Sequence, residues 1–291
     1  MENKTIEHTL YTFGCSWTYG VGVGYYPKMT LEEYNQQGWI PAICNEKSFR
    51  GILADRLQIK NINYSRGGAS NDRNFRLLSE ILGDKEAKKS FLKSNPIVLF
   101  GITSTARIER KYKQKQKHRD TFLNNNLSTL YFVDDGYEFN TEDVPLFWND
   151  KEALYQALHL KLHYSHPNEV KKLYHTMNLY NEIFDKFDVP VLWYDSFNTH
   201  EYPNKIDNFF GGQDLLTALL DYKKIKFRKA KKWYHFSDWL DDDPRITLGI
   251  KNNLLNPYSM HPTEEGHEII AQLFYPTLSS ILSKRTLKSN A

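Results

Sequence analysis

Apolar positions along this chain fall into two patterns: short unbroken runs, and longer stretches stepped by three and four. The first run, Leu10 to Phe13, stops at Gly14-Cys15-Ser16-Trp17. A short strand that runs into Gly and Ser is a strand-to-turn signal. Glu46 to Leu57 reads as a helix, with Phe49, Ile52, Leu53 and Leu57 on one face. Ile62 to Tyr64 is a second short strand, ending in Ser65-Arg66-Gly67-Gly68-Ala69-Ser70. Helical spacing returns with Phe75, Leu77, Leu78, Ile81 and Leu82. Pro96 then opens Ile97-Val98-Leu99-Phe100, a run without alternation that suits a central parallel strand buried on both faces.

A less regular stretch follows from about 111 to 165, with a hairpin expected over Thr129 to Phe139, turning at Asp134-Asp135-Gly136. Val170, Leu173, Met177, Tyr180, Phe184 and Phe187 mark an amphipathic helix, and Val189 to Tyr194 another strand. A second irregular stretch covers Ser196 to Met260. The last helix begins near Thr263 and is expected to break near Pro276. Alternating strands and helices predict an α/β fold: a three-layer α/β/α sandwich around a mostly parallel, flavodoxin-like sheet. Right-handed crossovers bring the loops after Phe13, Tyr64, Phe100 and Tyr194 to one sheet edge. One domain over 1–291, with insertions at about 111–165 and 196–256, is the simplest organisation.

Composition changes this picture little. The apolar fraction is 40%, but 14% of residues are aromatic, so a sizeable core is within reach. A formal net charge of +3 gives no general case for nucleic-acid binding. Two cysteines, Cys15 and Cys44, define no disulfide framework and suit a reducing compartment. No run approaches the ~20 apolar residues that span a bilayer, and the start of the chain has no signal-peptide pattern. A soluble, cytoplasmic protein with no membrane partner is expected; nothing in the sequence sets its oligomeric state.

Three of the converging loops carry candidate chemistry. Ser16 lies on a tight turn after a strand, where its hydroxyl is exposed at the sheet edge. Gly14 permits the sharp turn. By itself such a serine is an ordinary turn residue. Gly67-Gly68-Ala69-Ser70-Asn71-Asp72-Arg73 offers backbone N–H groups as oxyanion donors, and Ser70 or Asn71 as a helix cap. His261, just before Pro262-Thr263-Glu264-Glu265 starts a helix, is placed to take a proton across the crevice.

Together these blocks resemble the SGNH (GDSL-like) hydrolases. Gly14-Cys15-Ser16-Trp17-Thr18-Tyr19-Gly20 resembles the first, Gly-Asp-Ser block. Gly68 in Gly-Gly-Ala-Ser-Asn is similar to the glycine of the second, and Gly101-Ile102-Thr103 lies where the third has Gly-x-Asn. His261 in His-Pro-Thr-Glu-Glu-Gly-His resembles the last. The blocks span residues 10 to 282 in family order and leave 111–165 and 196–256 uncovered. The second block is also similar to that of uncharacterised tailed-phage proteins. The resemblance implies that Ser16 attacks an ester carbonyl, that His261 is its base, and that the N–H groups of Ser16 and Gly68 hold the oxyanion.

Three departures qualify it. Cys15 replaces the Asp beside the nucleophile; its thiol is an alternative nucleophile, although its side chain should point away from the crevice. Thr103 replaces the family Asn as an oxyanion donor, with Asn71 as a possible substitute. Tyr258 replaces the Asp three residues before His261, and a phenol neutral at pH 7 does not stabilise an imidazolium as a carboxylate does. Either a backbone carbonyl orients His261, or an acid comes from elsewhere, with Asp195 and Asp238 as candidates.

Other features weigh less. His159, His163 and His166 would share a helical face with metal-ligand spacing, but an exposed face explains them as well, and no metal or other cofactor is expected. Arg107 to Arg119 and Lys223 to Lys232 each carry seven basic residues; a solvated face is the ordinary reading. Arg107, close after the strand end, is the candidate to reach substrate. Trp148, Trp233, Tyr234 and Trp239 could stack on sugar rings or form small cores of their own. The expected function is a serine esterase acting on a small-molecule or glycan ester, removing a small acyl group such as acetyl from a carbohydrate. The alternative is a binding or structural protein, for example a phage component, that keeps the fold with a weakened site.

Overall fold

The computed structural model describes residues 7–37, 40–105, 107–111, 127–131, 165–197, 199–227 and 243–289. Its strands are β1 (Thr9–Phe13), β2 (Lys60–Asn63), β3 (Pro96–Ile102), β4 (Arg107–Lys111), β5 (Leu127–Tyr131) and β6 (Val191–Asp195). Four of them form one sheet in the order β2-β1-β3-β6, with every neighbouring pair parallel. Every residue of β1, β3 and β6 is buried, while β2 forms the half-exposed edge.

Helices cover both faces. They are α1 (Ser16–Tyr19), α2 (Leu31–Gln37), α3 (Pro41–Lys47), α4 (Phe49–Leu57), α5 (Asn71–Gly83), α6 (Lys85–Lys93), α7 (His166–Lys186), α8 (Leu215–Tyr222), α9 (Pro244–Lys251) and α10 (Glu264–Ser289). Strand alternation sorts the core into two halves. Leu10, Ile97, Leu99, Leu192 and Tyr194 pack with Phe49 and Leu53 of α4, Leu216 and Leu219 of α8, and Ile270 and Phe274 of α10. Tyr11, Phe13, Val98, Phe100 and Trp193 pack with Leu78 of α5, Phe91 of α6, and Met177 and Phe184 of α7. The result is the expected α/β/α layering around a parallel sheet.

Several local expectations need correction. The helix read across 46–57 is two helices that meet at Ser48. The first arm of the expected 129–139 hairpin lies in β5, which pairs with β4 in antiparallel register Arg107↔Tyr131; its expected turn and second arm lie outside the described residues. α10 does not break at Pro276. A proline costs the hydrogen bond to residue i−4 and crowds that carbonyl. Here Pro276 is exposed, so water can serve the freed carbonyl, while Phe274 and Leu278 stay buried on the inner face.

The stretch after β6 is more ordered than its sequence suggests. It holds α8 and α9, and it runs a short parallel bridge beside β6, Trp193↔Phe209. A buried cluster fastens its two ends. Arg245 reaches Asp214 at 2.8 Å and Asp243 at 2.7 Å, and Thr199 donates to Asp214 at 2.7 Å. Asp214 and Asp243 also cap α8 and α9.

The C-terminal end of β6 meets the turn after β1 through a hydrogen bond between Thr18 Oγ1 and Tyr194 OH at 2.6 Å, both groups buried. Gly101 leaves room for it. A Cβ there would lie 2.5 Å from the Tyr194 hydroxyl and 2.9 Å from Thr18 Oγ1. Gly101→Ala should therefore destabilise the protein by about 1–3 kcal/mol through overpacking, measured as a lower urea midpoint with an unchanged slope.

Candidate active site

The turn after β1 places Ser16 at the first position of α1. Cys15 before it is extended and offers no side-chain cap. Gly14 is required by close approach, since a Cβ there would sit 2.0 Å from Thr18 Oγ1. The N–H of Ser16 donates to no protein group among the described residues, and neither does that of Gly68. Gly68 follows β2 at φ 70°, and the Arg66 N–H ties this loop to the Gly14 carbonyl at 3.2 Å. The Cys15 side chain is fully buried in the core.

His261 arrives from the loop before α10. Its Nε2 lies 2.6 Å from Ser16 Oγ, across 245 residues of sequence. Its Nδ1 lies 2.5 Å from the Ser259 carbonyl oxygen. A carbonyl only accepts, so Nδ1 carries the proton and Nε2 presents its lone pair. The Ser16 hydroxyl therefore donates to Nε2. Gly22, at φ 103°, lets the chain after α1 pass against this loop: a Cβ on it would meet the Pro262 carbonyl oxygen at 2.6 Å and His261 Cβ at 3.1 Å. Trp17, fully buried, flanks the imidazole with ring centroids 6.5 Å apart.

The other candidates are placed as follows. Ser70 caps α5 by accepting from Arg73 N, which leaves Asn71 free for a different task. Its Oδ1 accepts from Thr103 N and its Nδ2 donates to Thr103 O, both at 2.9 Å. Asn71 thus ties the second loop to the third, with one N–H left over. Thr103 Oγ1 is buried and has no hydrogen-bond partner among the described residues. Asp195 is not at His261. Its carboxylate accepts from His200 Nδ1 at 2.8 Å, His200 N at 2.9 Å and the Tyr202 hydroxyl at 3.0 Å, so its oxygens are committed at the end of β6. Asp238 lies outside the described residues, as do His159, His163, Trp148, Trp233, Tyr234 and Trp239. Arg107 begins β4. Tyr258 is 40% exposed and donates to the Met29 carbonyl at 2.5 Å, away from the imidazole. Among the described residues no group of acids, histidines and cysteines could hold a metal, and no helix is long and apolar enough to cross a membrane.

Two further residues shape this corner: Arg50, which carried no sequence signal, and His267, which ends the last sequence block. Arg50 is fully buried and forms no ion pair with a carboxylate among the described residues. It donates to the carbonyls of Thr18 (3.1 Å), Tyr19 (3.1 Å) and Cys44 (3.3 Å) and to Asn45 Oδ1 (2.7 Å). It thereby satisfies the last carbonyls of the turn that begins with Ser16, where a cation also suits the helix end. Burial pulls its pKa down to about 10, so it stays charged at neutral pH.

His267, one turn into α10, is also fully buried. It stacks on Phe49 and accepts the Phe49 N–H at Nδ1. Burial first, then His261 and Arg50 nearby, lower its pKa to about 3. It is therefore neutral throughout the working range.

Compared with known proteins, the sequence matches no family model and no curated protein. Among solved structures it is similar to the psychrotrophic esterase EstA from Pseudoalteromonas sp., in a structure inhibited by monoethylphosphonate. That alignment has 12% identity and a TM-score of 0.38, and it covers 95% of this chain and 100% of the other. It is also similar to a carbohydrate esterase whose active site displays divergent catalytic and non-catalytic binding functions. There the identity is 10% and the TM-score 0.37, over 94% of this chain and 65% of the other. Both are named as esterases.

His267 gives this corner a pH signature. Between pH ~6.5, the ordinary histidine value, and about 3, the unfolded chain binds a proton that the native state refuses. The stabilisation is whole above pH ~6.5 and is lost as pH falls toward 3. Urea unfolding at pH 7 and 4.5 should show about 2–3 kcal/mol of acid loss in the native protein that is missing in His267→Gln.

Proposed function

We propose that the protein is a serine ester hydrolase in which Ser16 is the nucleophile and His261 the general base. The carrying observation is the 2.6 Å contact between Ser16 Oγ and the unprotonated Nε2 of His261. In this reading the Ser16 oxygen attacks the acyl carbon as its proton passes to Nε2. The tetrahedral oxyanion is held by the N–H groups of Ser16 and Gly68, with the Thr103 hydroxyl as a third donor. His261 then protonates the leaving alcohol, and water, activated by the same imidazole, releases the acid and restores Ser16.

The group that orients Nδ1 is the Ser259 carbonyl. A neutral carbonyl fixes the tautomer and direction of the ring but stabilises the imidazolium less than a carboxylate. The substrate class that fits best is a small acyl ester of a carbohydrate, a reading that rests on the resemblance in the sequence blocks.

The alternative of a binding protein with a weakened site is decided by the same experiment. A fluorophosphonate probe asks only for an activated serine and an open site. Labelling should map to Ser16 and vanish in Ser16→Ala. In His261→Ala it should slow by roughly 10²–10⁴-fold. It should rise with pH where an ordinary histidine loses its proton, ~6.5. Tyr258→Phe should label and hydrolyse within about threefold of wild type, since its phenol bonds Met29 and not the imidazole. A folded protein that leaves Ser16 unlabelled would support the binding reading, and reaction of Cys15 alone would support the thiol.

A further inference from the structure

The loop behind His261 is organised around one side chain. Asn256 is fully buried. Its Oδ1 accepts from Tyr258 N at 2.7 Å and Ser259 N at 3.3 Å. Its main chain closes the loop from both sides: the N–H donates to the His261 carbonyl and the carbonyl accepts from Met260 N, each at 2.8 Å. The peptide unit between Ser259 and Met260 is thereby gripped at its N–H end by Asn256, while its carbonyl end meets His261 Nδ1.

Two physical points give this grip a purpose. First, Met260 sits at φ 57°, a left-handed conformation that costs an unbranched residue roughly 1 kcal/mol and persists only when its surroundings impose it. Asn256 holds the turn that contains it: its carbonyl accepts from Met260 N, and its Oδ1 accepts from Tyr258 N two residues on, as in an Asx turn. Second, a lone carbonyl is a good orienting partner only if its direction is fixed, because a displacement of ~1 Å at a reacting group costs on the order of 10²-fold in rate. The chain of bonds also points one way: Asn256 carbonyl to Met260 N–H, Ser259 carbonyl to His261 Nδ1–H, His261 Nε2 to the Ser16 hydroxyl. Aligned hydrogen bonds polarise one another, which strengthens the carbonyl that faces the imidazole.

We infer that Asn256 is the positioning residue of the general base: its carboxamide builds the peptide that stands in for an orienting acid. The inference rests on the Ser16–His261 reading above. A purely structural role for Asn256 would change stability without changing the titration of the reaction.

The test is steady-state hydrolysis of p-nitrophenyl acetate by the full chain, with fluorophosphonate labelling in parallel, for wild type, Asn256→Ala and Asn256→Asp. Asn256→Ala removes the acceptor and should lower kcat roughly 10–100-fold, with KM within about threefold. Asn256→Asp keeps an acceptor for both N–H groups and should recover to within about fivefold of wild type. It should also move the acid limb of the pH–rate profile upward, because a carboxylate behind the imidazole favours its charged form. A wild-type kcat in folded Asn256→Ala overturns the inference. If Asn256→Ala fails to fold, Asn256→Asp decides: recovery with a raised acid limb supports the inference, and an unmoved limb or a slow, folded variant overturns it. A wild-type protein that neither labels nor hydrolyses removes the Ser16–His261 reading itself, and this inference with it. That result differs from an active wild type whose variants ignore Asn256.

Discussion

A parallel sheet with both faces buried leaves its strand ends as the only places where the main chain can meet water and substrate. β1, β3 and β6 are buried along their whole length, so each needs helices on both sides, and each crossover must return over a face. That requirement sends the loops after β1, β2 and β3 to one edge. Ser16, Gly68 and Thr103 lie in the loops that follow those strands. Their proximity follows from strand direction and handedness rather than from any attraction between them. α10 closes the arrangement from the other end of the chain. Its apolar face, with Ile270, Phe274 and Leu278, packs on the same core half as Leu10 and Leu99. Its N-terminus is fixed at that edge by the bond from Thr263 N to Leu254 O.

Within this frame the corner is built largely from main-chain carbonyls. Arg50 gathers the carbonyls of Thr18, Tyr19 and Cys44; Asn71 brackets the Thr103 peptide; Asn256 brackets the loop that carries His261. Carboxylates do similar work further off, at Asp195 with His200 and at Asp214 and Asp243 with Arg245. The difference has an electrostatic meaning. A carboxylate carries a full charge, whereas a peptide carbonyl orients the ring with a dipole alone.

Much of this was legible in the sequence, for definite reasons. The unbroken runs at Leu10 to Phe13, Ile97 to Phe100 and Val191 to Tyr194 announce strands covered on both faces. The stepped apolar residues of α5, α7 and α10 announce their covering helices. Pro276 misled because a proline's local penalty is small where its freed carbonyl faces solvent. The pairing of residues 127–131 with 107–111 was not legible, because a strand pattern names no partner strand. The turn at Ser16, the loop at Gly68 and the helix start after His261 were readable because Gly, Ser and Pro mark them locally.

What the sequence determined by itself is therefore the layering, the sheet edge at which the loops meet, and the residue types offered there. The partners were decided by tertiary structure. Nothing local says that Ser259 rather than Asp195 faces the imidazole, that Asn71 is spent on Thr103, or that Arg50 is buried on carbonyls. Each depends on where main-chain groups far apart in sequence come to rest, and every residue carries the same backbone carbonyl and, proline apart, the same N–H. A side chain's chemistry is written in the sequence, but the direction of a peptide dipole is fixed only when the chain around it has packed.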